Sequence, residues 1–264
     1  MTTNFATYGR DGESEARTRE DLAACFRLVA RLGWDDPIFR SHFTVRLPGS
    51  RDRLLTNPYH VPYQAISASD LIVVELEPGA HGSTMDEVDF GGLVLHRAIH
   101  SARPDVNCVM HLHTPNGTAV SALEDGLLPL SQPALIVQSM IAYHSYSGLA
   151  TESAEAADLV CDLANKQLVL LRNHGTFSVA PTIPQAFVFL YFLEQACEIQ
   201  IKILSMNRPI ITVPPSIQQI VARQIQMAGR DTAEQACRGL LKWVSLQDSD
   251  EYRRLCEPTK SDRR

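Results

Sequence analysis

The sequence predicts an α/β domain of three layers (α/β/α), with helices on both faces of a mostly antiparallel central sheet. Apolar residues recur at helical spacing in several long segments, and short apolar runs bounded by Gly, Pro and Asn lie between them. No internal repeat is visible. With 264 residues, 45% of them hydrophobic, the chain can bury a large core as one compact domain.

The first half opens on a polar segment, 1–15, that we expect to be flexible. Leu22, Phe26 and Val29 then share one helical face, and Gly33 ends that pattern. Prolines and glycines separate the segments that follow. The predicted elements are a helix over 15–33, strands over 42–47, 53–57 and 71–76, a helix over 91–102 and a strand over 108–113.

The second half continues the alternation and ends in helices. Its predicted elements are a short helix over 116–124, a strand over 135–143, a helix over 153–163, a strand over 168–171 and helices over 186–204, 217–227 and 232–246. Pro209 and Pro215 interrupt the helical pattern. We therefore expect a main domain over 16–210 and a C-terminal helical extension, 211–264, packed on it.

Charge and cysteine usage exclude several functional classes. A net charge of −6 gives no general attraction to nucleic acid or to an anionic membrane. No apolar run reaches membrane-spanning length, and the N-terminus lacks the pattern of a secretory signal. Six cysteines without disulfide-framework spacing are typical of reduced core residues. We expect a cytoplasmic protein.

The most informative motif is a set of three histidines. His111 and His113 end an apolar run, and side chains alternate along a strand, so both imidazoles are expected on one face as a chelating pair. His174 ends a second apolar run, where Asn173 and Gly175 predict a turn that aims it at the same point. Three imidazoles with an open fourth position are typical of a catalytic metal site.

The alternative is three unrelated histidines, two of them in the core and one in a turn. The strand-like flanks of both apolar runs favour the metal site. We expect one divalent ion, Zn²⁺ in the first place, with Fe²⁺ and Mn²⁺ as alternatives.

Further motifs surround these histidines in a fixed order. Ala102-Arg103-Pro104-Asp105 precedes the first histidine strand, the polar aromatic segment 142–148 lies between the two histidine motifs, and Gln185-Ala186-Phe187 opens the next helix. This ordered set, over about residues 20–205, resembles the class II aldolase and adducin family. The resemblance implies the three-layer fold, a metal on the three histidines, a small-molecule substrate and a cyclic homotetramer with sites near subunit interfaces.

Two features of the chain, the residue at position 92 and the phosphate-loop segments, depart from the sugar-phosphate aldolases of that family. Their catalytic glutamate lies nineteen positions before the first histidine, where this chain has Gly92, as in the adducin-like branch. The small residues of their phosphate loops are replaced by Ser41-His42 and by the segment 57–60, which prevents close backbone approach to a phosphate. We therefore predict a substrate other than a simple sugar phosphate, bound by His42, Asn57 and His60.

The missing glutamate leaves the catalytic base open. Candidates are His144 and Tyr146 in the polar aromatic segment, and Asp89 in the acidic run before the helix. The alternative for His144 and Tyr146 is a hydrogen-bonded cluster at a strand edge. The alternative for Asp89 is a solvent-exposed position at the start of the helix. His96 and His100 are four residues apart on the predicted helix but lack the acidic partner of a His-Glu-x-x-His site, so we expect structural or surface roles for them.

Three functions fit these features. A metal-dependent lyase would polarise a small hydroxy- or oxo-carbonyl substrate and stabilise an enediolate-type intermediate. Fe²⁺ on three histidines would keep open positions for oxygen and a bidentate ligand, as a decarboxylating oxygenase of an aromatic oxyacid requires. A non-catalytic adducin-like interaction domain is the third. The sequence favours the lyase, with the oxygenase as the alternative.

Overall fold

The computed structural model describes residues 15–36, 38, 41–77, 90–148, 153–227 and 231–247. Within these ranges the strands are β1 (His42–Arg46), β2 (Arg53–Thr56), β3 (Ile72–Glu75), β4 (Cys108–Leu112), β5 (Ile141–His144), β6 (Leu168–Leu171) and β7 (Gly175–Ala180). They form a seven-stranded sheet in the order β3-β2-β1-β4-β7-β6-β5. Only β5 and β6 pair in parallel, so the predicted, mostly antiparallel sheet is confirmed.

Helices cover both faces of this sheet. Those in the described ranges are α1 (Glu15–Arg31), α2 (Phe90–Ala102), α3 (Pro115–Ser121), α4 (Gln132–Val137), α5 (Ser153–Leu163), α6 (Ile183–Ser205), α7 (Pro215–Met227) and α8 (Asp231–Gln247). On one face Met110 and Leu112 of β4 pack in a common core with α1, α4, α6 and α8. On the other face Val109 packs with α2 and α5. Alternation along β4 thus builds two apolar layers, and the three-layer α/β/α prediction is confirmed.

One predicted strand is largely a helix. The strand expected over 135–143 begins only at Ile141, after α4 and a short 3-10 turn, Gln138–Met140. The Ser131 side chain accepts a hydrogen bond from Ala134 N and caps α4, which also has a proline in its first turn. A short apolar run does not distinguish a buried strand from a buried helix, and here the capping residue decides for the helix.

The strand β7 and the start of α6 were also missed. β7 is buried along its whole length and pairs with both β4 and β6. Thr176 and Ser178 alternate with Phe177 and Val179, and this short polar-apolar alternation was the available strand signal. α6 begins at Ile183, three residues before the predicted start, because Thr182 accepts a hydrogen bond from Gln185 N.

The C-terminal helices contact the main core. Cys237, Leu241 and Val244 of α8 belong to the same apolar cluster as α1 and α6. A domain boundary near residue 210 stays a prediction, and the segment 1–14, expected to be flexible, lies outside the described residues. None of the described helices combines the length and the apolar character that crossing a membrane requires.

Candidate metal centre

The strand pairing brings the three histidines together at one end of the sheet. His111 lies in β4, His113 follows its last residue, and His174 immediately precedes β7. β4 and β7 are antiparallel neighbours, with Leu112 opposite Thr176. The end of one strand therefore lies beside the start of the other, which places His113 next to His174.

A tight turn before β7 aims His174 at this point. Asn173 adopts φ 59°, the left-handed conformation that asparagine tolerates better than most residues. The Thr118 hydroxyl donates to the His174 carbonyl oxygen at 3.1 Å. A Cβ atom at Gly175 would lie 2.4 Å from the Leu112 carbonyl oxygen, so only glycine permits this close approach of β7 to β4. The sequence prediction of a turn made by Asn173 and Gly175 is confirmed.

The ring nitrogens converge on one point. One nitrogen from each of His111, His113 and His174 lies within 4.8 Å of the others, and the two Nε2 atoms of His113 and His174 are 3.0 Å apart. Nδ1 of His111 is 3.0 Å from the Thr176 carbonyl oxygen, to which it must donate because a carbonyl only accepts. This bond fixes the ring and leaves Nε2 as the nitrogen with an available lone pair.

The surroundings of His111 and His174 favour the neutral ring, which is the form that binds a metal. Burial, and then His113 and His174, lower the pKa of His111 well below its ordinary value. Burial, and then His113 and His144, lower the pKa of His174 to about 4. Three imidazoles with converging nitrogens, one of them oriented by a backbone carbonyl, fit a divalent ion such as Zn²⁺.

His144 lies near this cluster but is held by acidic side chains. It ends β5, is buried, and places Nδ1 2.8 Å from Asp162 Oδ2 and Nε2 3.9 Å from Glu155 Oε1. Tyr143 lies in the same polar aromatic segment but does not join His144 and Tyr146. Its hydroxyl instead accepts a hydrogen bond from Leu127 N at 3.0 Å.

Tyr146 is the base candidate that faces the histidines. Its ring centroid lies 6.3 Å from that of His174, and the side chain is 52% exposed. The third candidate, Asp89, lies outside the described residues. Gly92 lies within α2.

The predicted substrate residues divide into two groups. His42 and Asn57 are both buried, and His42 pairs directly with His111 across β1 and β4. Asn57 follows the end of β2 at the same end of the sheet, and both polar atoms of its amide, like the Ser41 hydroxyl, lack a hydrogen-bond partner among the described residues. His60 is exposed in the following turn. The structure thus places His42 and Asn57, together with Ser41, at the strand ends that carry the histidines.

His96 and His100 form a separate cluster between α2 and β1. Both rings are fully buried and share the Thr44 hydroxyl, with distances of 2.8 Å to His96 Nδ1 and 2.9 Å to His100 Nε2. Burial, and then His42 and His100, lower the pKa of His96 well below its ordinary value. Burial, and then Arg46, lower the pKa of His100 to about 3. Both rings therefore lie in the packed interior and not on the surface, and a structural role for them stays a prediction.

Sequence reasoning missed one acidic residue, Glu194 in α6. Its side chain is 2% exposed and accepts a hydrogen bond from the Thr114 hydroxyl at 2.7 Å. Burial raises the pKa of Glu194 to about 7, against the opposing effect of the Thr114 and Thr176 hydroxyls. A lone carboxylate in the strongly apolar run 186–204 was the available signal, because such residues are rarely buried without a partner.

Comparisons with known proteins point to one family. A family profile described as "Class II Aldolase and Adducin N-terminal domain" matches residues 20–201. A provisionally named class 2 aldolase protein of Caulobacter vibrioides is 44% identical over 220 residues, covering 83% of this chain and 85% of that protein. Alpha-adducin of Rattus norvegicus is 39% identical over 196 residues, covering 73% of this chain but only 26% of the adducin.

Solved structures agree with these relatives. An aldolase II superfamily protein from Pseudomonas syringae, at 34% identity, superposes with a TM-score of 0.84 and covers 91% of this chain and 97% of its own. L-fuculose 1-phosphate aldolase from Glaciozyma antarctica PI12, at 26% identity, has a TM-score of 0.74 and covers 88% of this chain and 90% of its own.

Proposed function

This chain belongs to the class II aldolase and adducin family, and from that premise we propose that it is a metal-dependent enzyme of the lyase type. Its substrate would be a small hydroxy- or oxo-carbonyl compound. One observation carries the proposal: the ligand nitrogens of His111, His113 and His174 lie within 4.8 Å of one another. Three neutral imidazoles with no fourth protein ligand among the described residues would leave a position for substrate.

The three histidines would hold the ion, and the donor set suggests which one. Three neutral nitrogen ligands favour Zn²⁺, with Fe²⁺ and Mn²⁺ as alternatives. A bound divalent ion supplies a Lewis acid that polarises the substrate carbonyl and stabilises enediolate-type charge. His111 is oriented for this task by the Thr176 carbonyl oxygen, and His174 by the turn at Asn173.

The polar end of the substrate would bind at the strand ends of β1 and β2. The Ser41 hydroxyl and the Asn57 amide are buried there without hydrogen-bond partners among the described residues, and buried polar groups of this kind are costly unless a ligand or water satisfies them. A hydroxyl and an amide are neutral and suit the hydroxyl or carbonyl groups of a substrate. With His42 beside His111, they support a substrate other than a simple sugar phosphate; His60, exposed, would act at most at the rim.

Proton transfer falls to Tyr146 or His144. Tyr146 is exposed beside His174, where its hydroxyl can reach a bound substrate. In His144, Nδ1 is hydrogen-bonded to Asp162, which makes Nε2 the basic nitrogen if the ring is neutral. We propose Tyr146 as the group that meets substrate and His144 as the proton acceptor behind it, with Asp89 as the remaining candidate.

Assembly and location follow as further proposals. α7 and α8 carry exposed apolar side chains, among them Ile217, Ile220, Trp243 and Leu246. A homotetramer would bury such residues in subunit contacts. We propose a cytoplasmic homotetramer that binds neither nucleic acid nor membrane. Light scattering at micromolar concentration should give four times the chain mass, and a monomer would contradict the proposed assembly.

The test begins with metal analysis of protein purified without chelator and without added metal. We expect about one equivalent of divalent metal in the wild type and in the control His60→Ala. The zinc form is then screened against small hydroxy- and oxo-carbonyl compounds for release of an aldehyde. Aldehyde release supports the lyase, whereas oxygen uptake on an aromatic oxyacid by the iron form, with no aldehyde, would replace it by the oxygenase.

A further inference from the structure

Glu194 lies directly behind the histidine cluster, on the opposite face of the sheet. Thr114, two residues after β4, and Thr176 in β7 lie beside Glu194 of α6, and Glu194 Oε2 accepts the hydrogen bond of the Thr114 hydroxyl at 2.7 Å. A Cβ atom on Gly117 would lie 2.7 Å from Thr176 Cγ2, 2.8 Å from Thr114 Oγ1 and 3.0 Å from Glu194 Oε1. The carboxylate and the two threonines therefore converge at a glycine, which leaves just enough space for them.

Both threonines belong to the segments that carry the histidines. Thr114 follows His113 and caps α3, because its hydroxyl also accepts a hydrogen bond from Gly117 N at 3.0 Å. Thr176 follows Gly175 in β7, and its carbonyl oxygen accepts the hydrogen bond of His111 Nδ1. A shift of either threonine would thus move an imidazole. Glu194 contacts the two residues whose positions set His111 and His113.

The negative charge of the Glu194 carboxylate is not balanced by a positively charged side chain among the described residues. Glu194 is 2% exposed, and no described residue forms an ion pair with it. Oε1 and the nearby Thr176 hydroxyl both lack a hydrogen bond of good geometry among the described residues. Burial of an unpaired charge destabilises a fold. A buried carboxylate behind a cluster of imidazoles is accounted for when a cation occupies that cluster.

We propose that Glu194 is a positioning residue of the metal centre. Its carboxylate fixes Thr114 and Thr176, and through them the imidazoles of His113 and His111, while its charge offsets that of the ion. The inference rests on the proposed metal binding by the three histidines. Glu194 does not itself bind the ion, since it lies across the sheet from the ligand nitrogens.

The test compares the variant Glu194→Gln with the wild type. Glutamine has the same shape, can accept from Thr114 and donate to Thr176, and removes only the charge. Glu198→Gln is the matched control, because it removes a charge one turn further along α6 from a residue paired with Lys202. Zn²⁺ affinity is measured by competition with a chromophoric chelator, the Co²⁺ site by visible absorption, and the melting temperature on metal-free protein.

We expect Glu194→Gln to bind Zn²⁺ about 10- to 100-fold more weakly, the range typical of residues that orient metal ligands. Its metal-free melting temperature should equal or exceed that of the wild type, which a purely structural role would not allow. Glu198→Gln should match the wild type. Unchanged Zn²⁺ affinity in Glu194→Gln would overturn the inference, whereas a wild type that binds no Zn²⁺ would overturn the metal centre itself.

A second pair of variants covers the case in which Glu194→Gln does not fold. Thr114→Val removes the hydroxyl that joins the carboxylate to the His113 segment, and Thr114→Ser retains it. We expect weaker Zn²⁺ binding in the valine variant and binding within about threefold of the wild type in the serine variant. Equal affinities in the two variants would contradict the proposed role.

Discussion

Two histidine clusters lie on the same side of the sheet, and they differ in what stands between the rings. In the first, His113 and His174 face each other nitrogen to nitrogen at 3.0 Å, and a backbone carbonyl holds the far side of His111. In the second, the Thr44 hydroxyl separates His96 from His100. A hydroxyl has one proton, so at least one of these rings must donate to it.

This difference decides what each cluster can do. When one ring nitrogen of an imidazole donates a hydrogen bond to a carbonyl, the other ring nitrogen keeps a lone pair that can bind a metal. An imidazole that is already hydrogen-bonded to a hydroxyl in a dry interior contributes to the packing of the core. The number of histidines in a cluster thus does not indicate whether the cluster binds a metal. The position of the oxygen atom that each ring contacts does indicate it.

The largest expected effect concerns the first cluster. Replacing His111, His113 or His174 with alanine should remove most bound metal, with a loss of affinity greater than the 10- to 100-fold typical of residues behind a ligand. Replacing His100 with glutamine should leave the metal content at the wild-type value. The measurement is elemental analysis after dialysis.

The opposite result would contradict the assignment of the metal to the first cluster. Full metal content in His111→Ala, together with loss of metal in His100→Gln, would mean that the ion binds at the second cluster.

The next effect concerns α2, which carries both His96 and Gly92. Because Gly92 provides no carboxylate, we expect wild-type cleavage of L-fuculose 1-phosphate to be slow, without the contribution of a glutamate base at this position, roughly a hundred- to ten-thousand-fold. Gly92→Glu should raise the rate measured with the zinc form. Gly91→Glu is the control, since it presents the same group in another direction around the helix.

Efficient cleavage by the wild type would show that another group replaces the glutamate. Tyr146, His144 and Asp89 would then be the residues to change.

The second cluster should contribute to the acid sensitivity of the metal-free protein, alongside His111 and His174, whose pKa values are also lowered. The pKa of His100 is lowered to about 3 and that of His96 is lowered as well. The unfolded chain therefore takes up protons below pH 6.5 that the folded chain does not, and stability falls as the pH drops from about 6.5 towards 3. The slope approaches about 1.4 kcal/mol per pH unit for each histidine.

Denaturant unfolding of metal-free protein at several pH values measures this slope. His100→Gln should flatten it, and an unchanged slope in that variant would exclude His100 as a source.

The smallest effect isolates the hydroxyl between the rings. Thr44→Val keeps the shape of the side chain but leaves buried ring nitrogens without their partner, which should lower the free energy of unfolding by about 1–3 kcal/mol. Thr44→Ser retains the hydroxyl and should cost less. The same unfolding experiment measures both, and metal content should not change in either variant. If Thr44→Val left the free energy of unfolding unchanged, the hydroxyl could not be the cause of the difference between the two clusters.

Much of this arrangement could be predicted from the sequence. Alternation along a strand placed His111 and His113 on one face, and the turn chemistry of Asn173 and Gly175 placed His174 beside them. These predictions succeeded because they depend on local geometry within a few residues. The confirmed three-layer fold depends equally on local hydrophobic periods.

What the sequence could not give depends on contacts between distant segments. The bonds from Thr44 to His96 and His100 join residues more than fifty positions apart, and the bond from Thr114 to Glu194 joins residues eighty apart. The strand β7, by contrast, had a local signal, because Thr176 and Ser178 alternate with Phe177 and Val179. Tyr143 lies in the same polar aromatic segment as His144 and Tyr146, but its hydroxyl accepts a hydrogen bond from the distant Leu127 N.

X-ray absorption at the zinc edge of the metal-loaded protein tests the central claim most directly. It reports the ligand atoms and their distances without reference to activity. The account predicts three imidazole nitrogens at about 2.0–2.1 Å, with the remaining coordination from a light atom. Sulfur at about 2.3 Å would place the ion on cysteine and contradict the assignment of His111, His113 and His174.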